Sequence, residues 1–206
     1  MSAAGLWRGP EPLLLASTSM TRRTLLENAG LPVDTEAAGT DERAIEARAG
    51  SVDPGELALR LAGEKALAVS RRRPGRIVVG ADQTLALDGA LLHRPADAGA
   101  AKAQIAQLSG RTHTLHSALA VARDGEVLDK AVDLARLAMR RLSPAQIELY
   151  ATLAGEARLT QSVGAYQLEG LGVHLFDRVE GEHTTILGLP MLPLLRVLRT
   201  LGLLAL

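Results

Sequence analysis

Three dipeptides limit what this chain can become: Asp88-Gly89, Asp124-Gly125 and Glu180-Gly181 each stand between apolar runs. Asp-Gly suits a type I′ turn, whose twist matches that of paired antiparallel strands. Hairpins are therefore expected over Thr84–Leu87 with Ala90–Leu92, over Thr112–Ala122 with Val127–Met139, and over Val173–Val179 with Thr184–Leu187. Helix starts are interleaved with them. Asp53-Pro54-Gly55-Glu56 offers a cap, a first-turn proline and an early acid, for a helix reaching about Ser70. Asp97–Leu108 reads as a second helix, Ser143-Pro144-Ala145-Gln146 opens one reaching about Leu153, and Gly188-Leu189-Pro190 leads into the last. A chain that mixes hairpins with helices in this way implies an α/β fold with a mixed sheet and flanking helices, not a purely parallel one. Residues 1–206 carry no repeat, linker or low-complexity block, so a single domain is expected.

The opening strand adds a different kind of information. Leu13-Leu14-Leu15-Ala16 suits a buried strand, Ser17-Thr18-Ser19 breaks it, and Arg22-Arg23 precede Thr24–Gly30, read as a helix with a glycine just past its end. A strand turning through hydroxyls into a helix presents unpaired backbone N–H groups at the helix's positive end. Two guanidinium groups beside them make a place for an anion, phosphate above all.

Composition narrows the field. Lys plus Arg and Asp plus Glu number 23 each, so no global field draws the chain to nucleic acid or to an acidic membrane, and any anion site must be local. Aromatic residues make up only 2%, which argues against base-stacking platforms. There is no cysteine, hence no disulfide or thiolate chemistry, in keeping with a cytoplasmic location. The apolar run Leu189–Leu206 is interrupted by Arg196 and Arg199 and reads as a packed amphipathic helix, with Met191, Leu194, Leu195, Leu198 and Leu201 on one face. G-x-S-x-G, P-loop and H-E-x-x-H motifs are missing, and His113 and His116, three apart on a strand, face opposite sides.

Polar residues gather at four further places: Asp41-Glu42 after the extended Leu31–Thr40, Lys65 beside Glu64 in a helix, Gly80-Ala81-Asp82-Gln83 read as a small-residue turn after Ile77-Val78-Val79, and Arg94 before Pro95. The basic triplet Arg71-Arg72-Arg73 reads as a solvated helix end. Cations to hold phosphate oxygens and carboxylates to hold Mg²⁺ or Mn²⁺ and to deprotonate water are the parts for metal-assisted attack on a phosphate.

Taken in order, Leu-Ala-Ser17-Thr-Ser19-x-x-Arg22-Arg23, Asp41-Glu42, Glu64-Lys65-Ala66, Gly80-Ala81-Asp82, Arg94-Pro95, Leu108-Ser109-Gly110-Arg111-Thr112-His113 and Gly188-Leu189-Pro190 resemble the motifs of the Maf family of nucleoside triphosphate pyrophosphatases. The resemblance implies the curved mixed sheet shared with inosine triphosphate pyrophosphatases, a divalent cation (Mg or Mn), and hydrolysis between the α and β phosphates. It also implies roles. Asp82 matches the general base, Glu42 a residue serving metal or water, and Lys65 a phosphate contact, with both acids as metal ligands. Ser17, Ser19, Arg22, Arg23 and Arg94 match the phosphate-binding set. Gln83 and Glu169, in Leu168-Glu169-Gly170, look like the branch associated with 7-methylguanosine triphosphate, while Thr21 stands where that branch often has tryptophan. Arg94 replaces the family's lysine, keeping its charge on a wider fork. The expected partner is the triphosphate, without nucleic acid or membrane, and a homodimer is left open. A non-catalytic nucleotide-binding regulator linked to cell division is the alternative reading, and a transferase would need an acceptor site for which no residues suggest themselves.

Overall fold

The structure, a computed structural model, describes residues 5–206. In chain order its elements are β1 (Leu13–Leu15), α1 (Met20–Asn28), β2 (Val33–Thr35), α2 (Glu42–Ala49), α3 (Pro54–Arg72), β3 (Val78–Leu87), β4 (Ala90–Leu92), α4 (Ala98–Leu108), β5 (Thr112–Arg123), β6 (Glu126–Met139), α5 (Pro144–Ala154), α6 (Glu156–Leu159), a 3₁₀ turn (Leu171–Leu175), β7 (Phe176–Glu180), α7 (His183–Ile186) and α8 (Met191–Thr200). The sheet runs β2-β1-β3-β5-β6-β7, with β4 on β3. β1 is parallel to β2 and β3, and every other pairing is antiparallel.

The two Asp-Gly turns form as their chemistry requires. Asp88 and Gly89 have φ of 50° and 82°, Asp124 and Gly125 of 53° and 80°, the left-handed pair of a type I′ turn. The expected caps are also in place: Asp53 accepts from the N–H of Gly55 and Glu56, Asp97 from that of Ala100, and Ser143 forms a capping box with Gln146.

Several expectations give way. Gly80–Gln83 is not a turn but the middle of β3, which runs unbroken for 10 residues. Gly80 is there because α3 lies almost on the strand: a Cβ would sit 2.1 Å from the Ala62 carbonyl oxygen. Val173–Leu187 is not a hairpin. Phe176–Glu180 pairs with β6 instead, and His183–Ile186 coils into α7 because Glu182 caps it, accepting from the Thr185 N–H at 3.0 Å. Asp41-Glu42-Arg43 does not trail off a strand edge, since Asp41 accepts from the Ala44 N–H and starts α2. Arg72 and Arg73 are not merely solvated. Both bind Glu36, and Arg72 also donates to the carbonyls of Ala37 and Ala38, fastening the chain after β2 to the end of α3. Val197 of α8 is buried, while Leu201, just past the end of that helix, is exposed.

Alternation along β3 and β5 sorts the layers. Ala118, Ala120 and Ala122 of β5 meet Ala58, Ala62 and Ala66 of α3, an all-alanine contact that lets helix and sheet approach closely. On the opposite face, Val79, Ala81, Leu119 and Val121 pack with Leu13, Leu26, Leu189, Leu194 and Leu198, under α1 and α8. Further along the same strands a second cluster gathers Leu85, Leu87, Leu115 and Leu137 with Ile105, Leu108 and Tyr150 of α4 and α5. A polar row separates the two clusters. Gln83, Ser117 and Asp133 are direct cross-strand neighbours on β3, β5 and β6, and Thr185 of α7 satisfies them. Its carbonyl accepts from Ser117 at 2.6 Å and from the Gln83 amide at 3.0 Å, and its hydroxyl donates to Asp133 at 2.7 Å.

A candidate polyphosphate site at a gap in the sheet

The edge of β3 that faces β1 is only partly covered. β5 takes the other edge from Val78 to Ala86. On the near edge β1 reaches Val79 and β4 begins at Leu85, so residues 80–84 lie between them without a strand partner. Down that edge the carbonyls of Ile77 and Val79 accept from the N–H groups of Leu14 and Ala16. The next carbonyl in the series, Ala81, accepts instead from the Arg22 guanidinium, Nη1 to O 3.1 Å. Arg22 thus continues the ladder where β1 turns away. Its Nε donates to the Gly188 carbonyl at 2.8 Å, tying the approach to α8 into the same corner.

Asp82, in the uncovered stretch, points to the α3 face with Gly80. The close helix approach that Gly80 permits brings Lys65 against it: Nζ lies 2.5 Å from Asp82 Oδ1 and 2.6 Å from Glu42 Oε1. Lys65 and Asp82 are both buried, whereas Glu42, in the first turn of α2, is exposed. Burial raises the Asp82 carboxyl above its ordinary 3.8, opposed by Lys65 and Arg22 and reinforced by Glu42. Burial likewise lowers Arg22, with Asp82 and Glu42 favouring its charge and Arg94 opposing it. Those mutual influences place Glu42, Asp82, Arg22 and Arg94 in one electrostatic neighbourhood.

The serines stand at the mouth of α1. The helix begins at Met20, four residues earlier than its apolar pattern suggests, so Arg22 and Arg23 fall in its first turns. Ser19 caps it, accepting from the Arg22 N–H at 3.4 Å, and Ser17 Oγ accepts from the Ser19 N–H at 3.2 Å. Both hydroxyls keep an O–H to donate. Arg23 turns to Glu27 on the exposed flank of α1, 2.7 Å away, a contact worth a few tenths of a kcal/mol. Arg23 shares no hydrogen bond or ion pair with Glu42, Lys65 or Asp82 among the described residues, and Arg94 is an exposed cation just after β4. Thr21 is half-buried in α1.

Gln83 faces the other side of β3 from Asp82. Its Nε2 donates to Ser117 Oγ at 2.7 Å and to the carbonyls of Thr185 and Ile186 at 3.0 and 3.1 Å, so only its carbonyl oxygen is left over, on the side of Gly188 and Arg22. Glu169 is exposed on the loop before the 3₁₀ turn and, among the described residues, shares no hydrogen bond or ion pair with the cluster. Its loop is fixed from below. Ser162 Oγ donates to the Tyr166 carbonyl at 2.6 Å, and the Tyr166 hydroxyl lies 2.6 Å from Nε2 of buried His113.

Residue types alone did not reveal the backbone role of Arg22 or the packing role of Gly80. Period-2 alternation along β3, had its continuity been known, would have put Gln83 and Asp82 on opposite faces. A groove of about 370 Å³ runs along Leu59, Gly63 and Leu67 of α3 beside Ile45, Arg48 and Lys130 and does not include Lys65 or Asp82. Its lining has no paired carboxylates facing a cation, in contrast to the sheet gap.

Among the described residues no group of three or more His, Cys, Asp and Glu could enclose a metal ion, and no helix is long and apolar enough to cross a membrane. Two carboxylates converging on one point still suit a hard cation whose remaining ligands are water and phosphate oxygens, the usual arrangement for Mg²⁺.

Comparison with known proteins identifies the family. The family described as Maf-like protein matches residues 12–201. A nucleoside triphosphate pyrophosphatase of Nitrobacter winogradskyi is 57% identical over 201 residues, covering 98% of this chain and 99% of that protein. One from Rhodopseudomonas palustris is 54% identical over 200 residues, 97% and 98% of the two chains. A 7-methyl-GTP pyrophosphatase of Mesorhizobium japonicum is 50% identical over 194 residues, 93% and 97%.

Proposed function

The chain belongs to the Maf-like family, and on that premise we propose that it hydrolyses nucleoside triphosphates between the α and β phosphates, giving a monophosphate and pyrophosphate. The observation that carries the reading is the convergence of Glu42, Lys65 and Asp82 at an uncovered strand edge beside the hydroxyl-lined start of α1. Its support from relatives is the pyrophosphatase name borne by proteins 50–57% identical across almost the whole chain.

The triphosphate must be neutralised before water can reach the α phosphorus. The free N–H groups of α1 and the hydroxyls of Ser17 and Ser19 are donors for phosphate oxygens, and Arg94 and Arg23 offer charge at the rim. Lys65 brings a buried charge to the same place. A carboxyl raised by burial is a stronger base than an ordinary one, so Asp82 is the group to take the proton of the attacking water. A divalent cation held by Glu42 and Asp82 would add Lewis-acid stabilisation of the phosphate oxygens. For the base, the free carbonyl oxygen of Gln83 accepts but cannot donate, and Glu169 is a second acceptor; together they favour a base with an N–H edge, guanine types included.

The test is a panel of canonical and 7-methylated triphosphates with Mg²⁺ or Mn²⁺, read for pyrophosphate against orthophosphate. Pyrophosphate release by the wild type, reduced about 10²–10⁴-fold in Asp82→Asn with an unchanged melting temperature, is the expected result. Orthophosphate as the product, or full turnover in that variant, would refute the reading.

A further inference from the structure

Glu42 and Asp82 have, among the described residues, one cationic partner in contact with both, and it is Lys65. The ammonium stands 2.5 Å from one carboxylate and 2.6 Å from the other. Both carboxylates turn to that one ammonium, so the side chains that hold it are the same two that would hold a divalent cation. The place where a metal would sit is therefore the place where the ammonium sits, and two positive groups cannot share it.

We propose that Lys65 is the resident counter-ion of the Glu42–Asp82 pair and competes with the divalent metal, so that metal entry requires the triphosphate to take Lys65 away. This rests on the pyrophosphatase reading above. The lysine backbone cannot withdraw, because α3 is locked to the sheet by Ala62 and Ala66 over Gly80. Only the flexible end of the side chain can move, and what it needs is another anion. A metal arriving alone would strand a buried ammonium beside a doubly charged ion. A metal arriving with a triphosphate gives Lys65 phosphate oxygens to bind, and the carboxylates pass from one cation to the other without being left bare. The charge count agrees: Lys65 and Arg22 already balance the two carboxylates, so a divalent ion brings an excess of positive charge unless phosphate comes with it. Binding of metal and of nucleotide is then mutually dependent, a coupling located in one side chain.

The full-length chain with metal alone provides the measurement. Binding of Mn²⁺, followed by loss of the free-ion electron paramagnetic resonance signal, is expected to be at least tenfold tighter in Lys65→Met and Lys65→Gln than in the wild type. Lys65→Arg, which restores a cation between the acids, stays near the wild-type value. Affinity in both neutral variants no better than in the wild type would overturn the proposal. Should neither neutral variant fold, the wild type decides: the ¹⁵Nζ resonance of Lys65 should stay in place with Mg²⁺ alone and move with Mg²⁺ plus an α,β-methylene triphosphate. Displacement by Mg²⁺ alone would be equally fatal. An enzyme that releases pyrophosphate yet gives the overturning result refutes only the competition, whereas failure to release pyrophosphate from any triphosphate refutes the reading beneath it.

Discussion

His113 offers a quantitative test of how the loop bearing Glu169 is held. The imidazole is 1% exposed, its Nε2 meets the Tyr166 hydroxyl, and its Nδ1 has no partner. Burial lowers it from 6.5 to about 4, and burial raises the Tyr166 hydroxyl, so both are neutral at pH 7. The folded form therefore resists the imidazolium that the unfolded chain accepts. Stability from this group is whole above pH 6.5, falls as the pH drops below that value, and levels off near pH 4. With those two values the folded state loses about 2 kcal/mol between pH 7 and pH 5. At a urea slope of about 2 kcal/mol/M the unfolding midpoint should drop by about 1 M from this residue alone. His116, half-buried and lowered by burial against the opposing charge of Asp53, adds a loss of the same sign. Urea unfolding of the wild type and of His113→Gln at both pH values separates the two. The variant can still bind the Tyr166 hydroxyl and keeps His116, so its loss between pH 7 and pH 5 should be smaller by about 2 kcal/mol, even if its stability at pH 7 is lower. Equal losses in the two proteins would refute the assignment of a buried neutral imidazole.

Gly80→Ala places a methyl group 2.1 Å from the Ala62 oxygen and 2.6 Å from the Ala66 nitrogen. It should push α3 outward at a cost of about 1–3 kcal/mol and reduce turnover by parting Lys65 from Asp82; an unchanged melting curve would contradict the close packing. Arg22→Gln removes the guanidinium that serves the carbonyls of Ala81 and Gly188. Leaving those acceptors short should cost about 2–4 kcal/mol and lower the melting temperature by about 5–10 °C, and a variant as stable as the wild type would show that Arg22 is free for substrate alone.

Much of this was written locally. Asp88-Gly89 and Asp124-Gly125 carry their hairpins in their own backbone preferences, and Asp53, Asp97 and Ser143 announce three helices through side chains that reach only two or three residues onward. The errors share one cause, which is distance along the chain. Gly80 reads as a turn until α3 is laid across it. Glu180-Gly181 reads as a hairpin until Phe176 finds β6 and Glu182 turns inward to cap α7. Arg22 reads as a cation beside an anion site, and nothing nearby reveals that it also bonds carbonyls 59 and 166 residues away. In the site itself the acids and the lysine were legible as types in order, but their meeting depends on two helices and a strand stacking in a sequence-remote way. Glu169 lies on an exposed loop, and no pattern within that loop fixes its relation to them.

The interruption between β1 and β4 also bears on how such a cleft can move. The two apolar clusters on either side of the Gln83–Ser117–Asp133 row are not separate bodies on a swivel, because β3, β5 and β6 pass without a break from one to the other. Narrowing the opening means flexing those long strands as a leaf spring is flexed, and the strands supply their own restoring force. A stiffer sheet would therefore resist closing of the opening, whatever freedom the surrounding loops have.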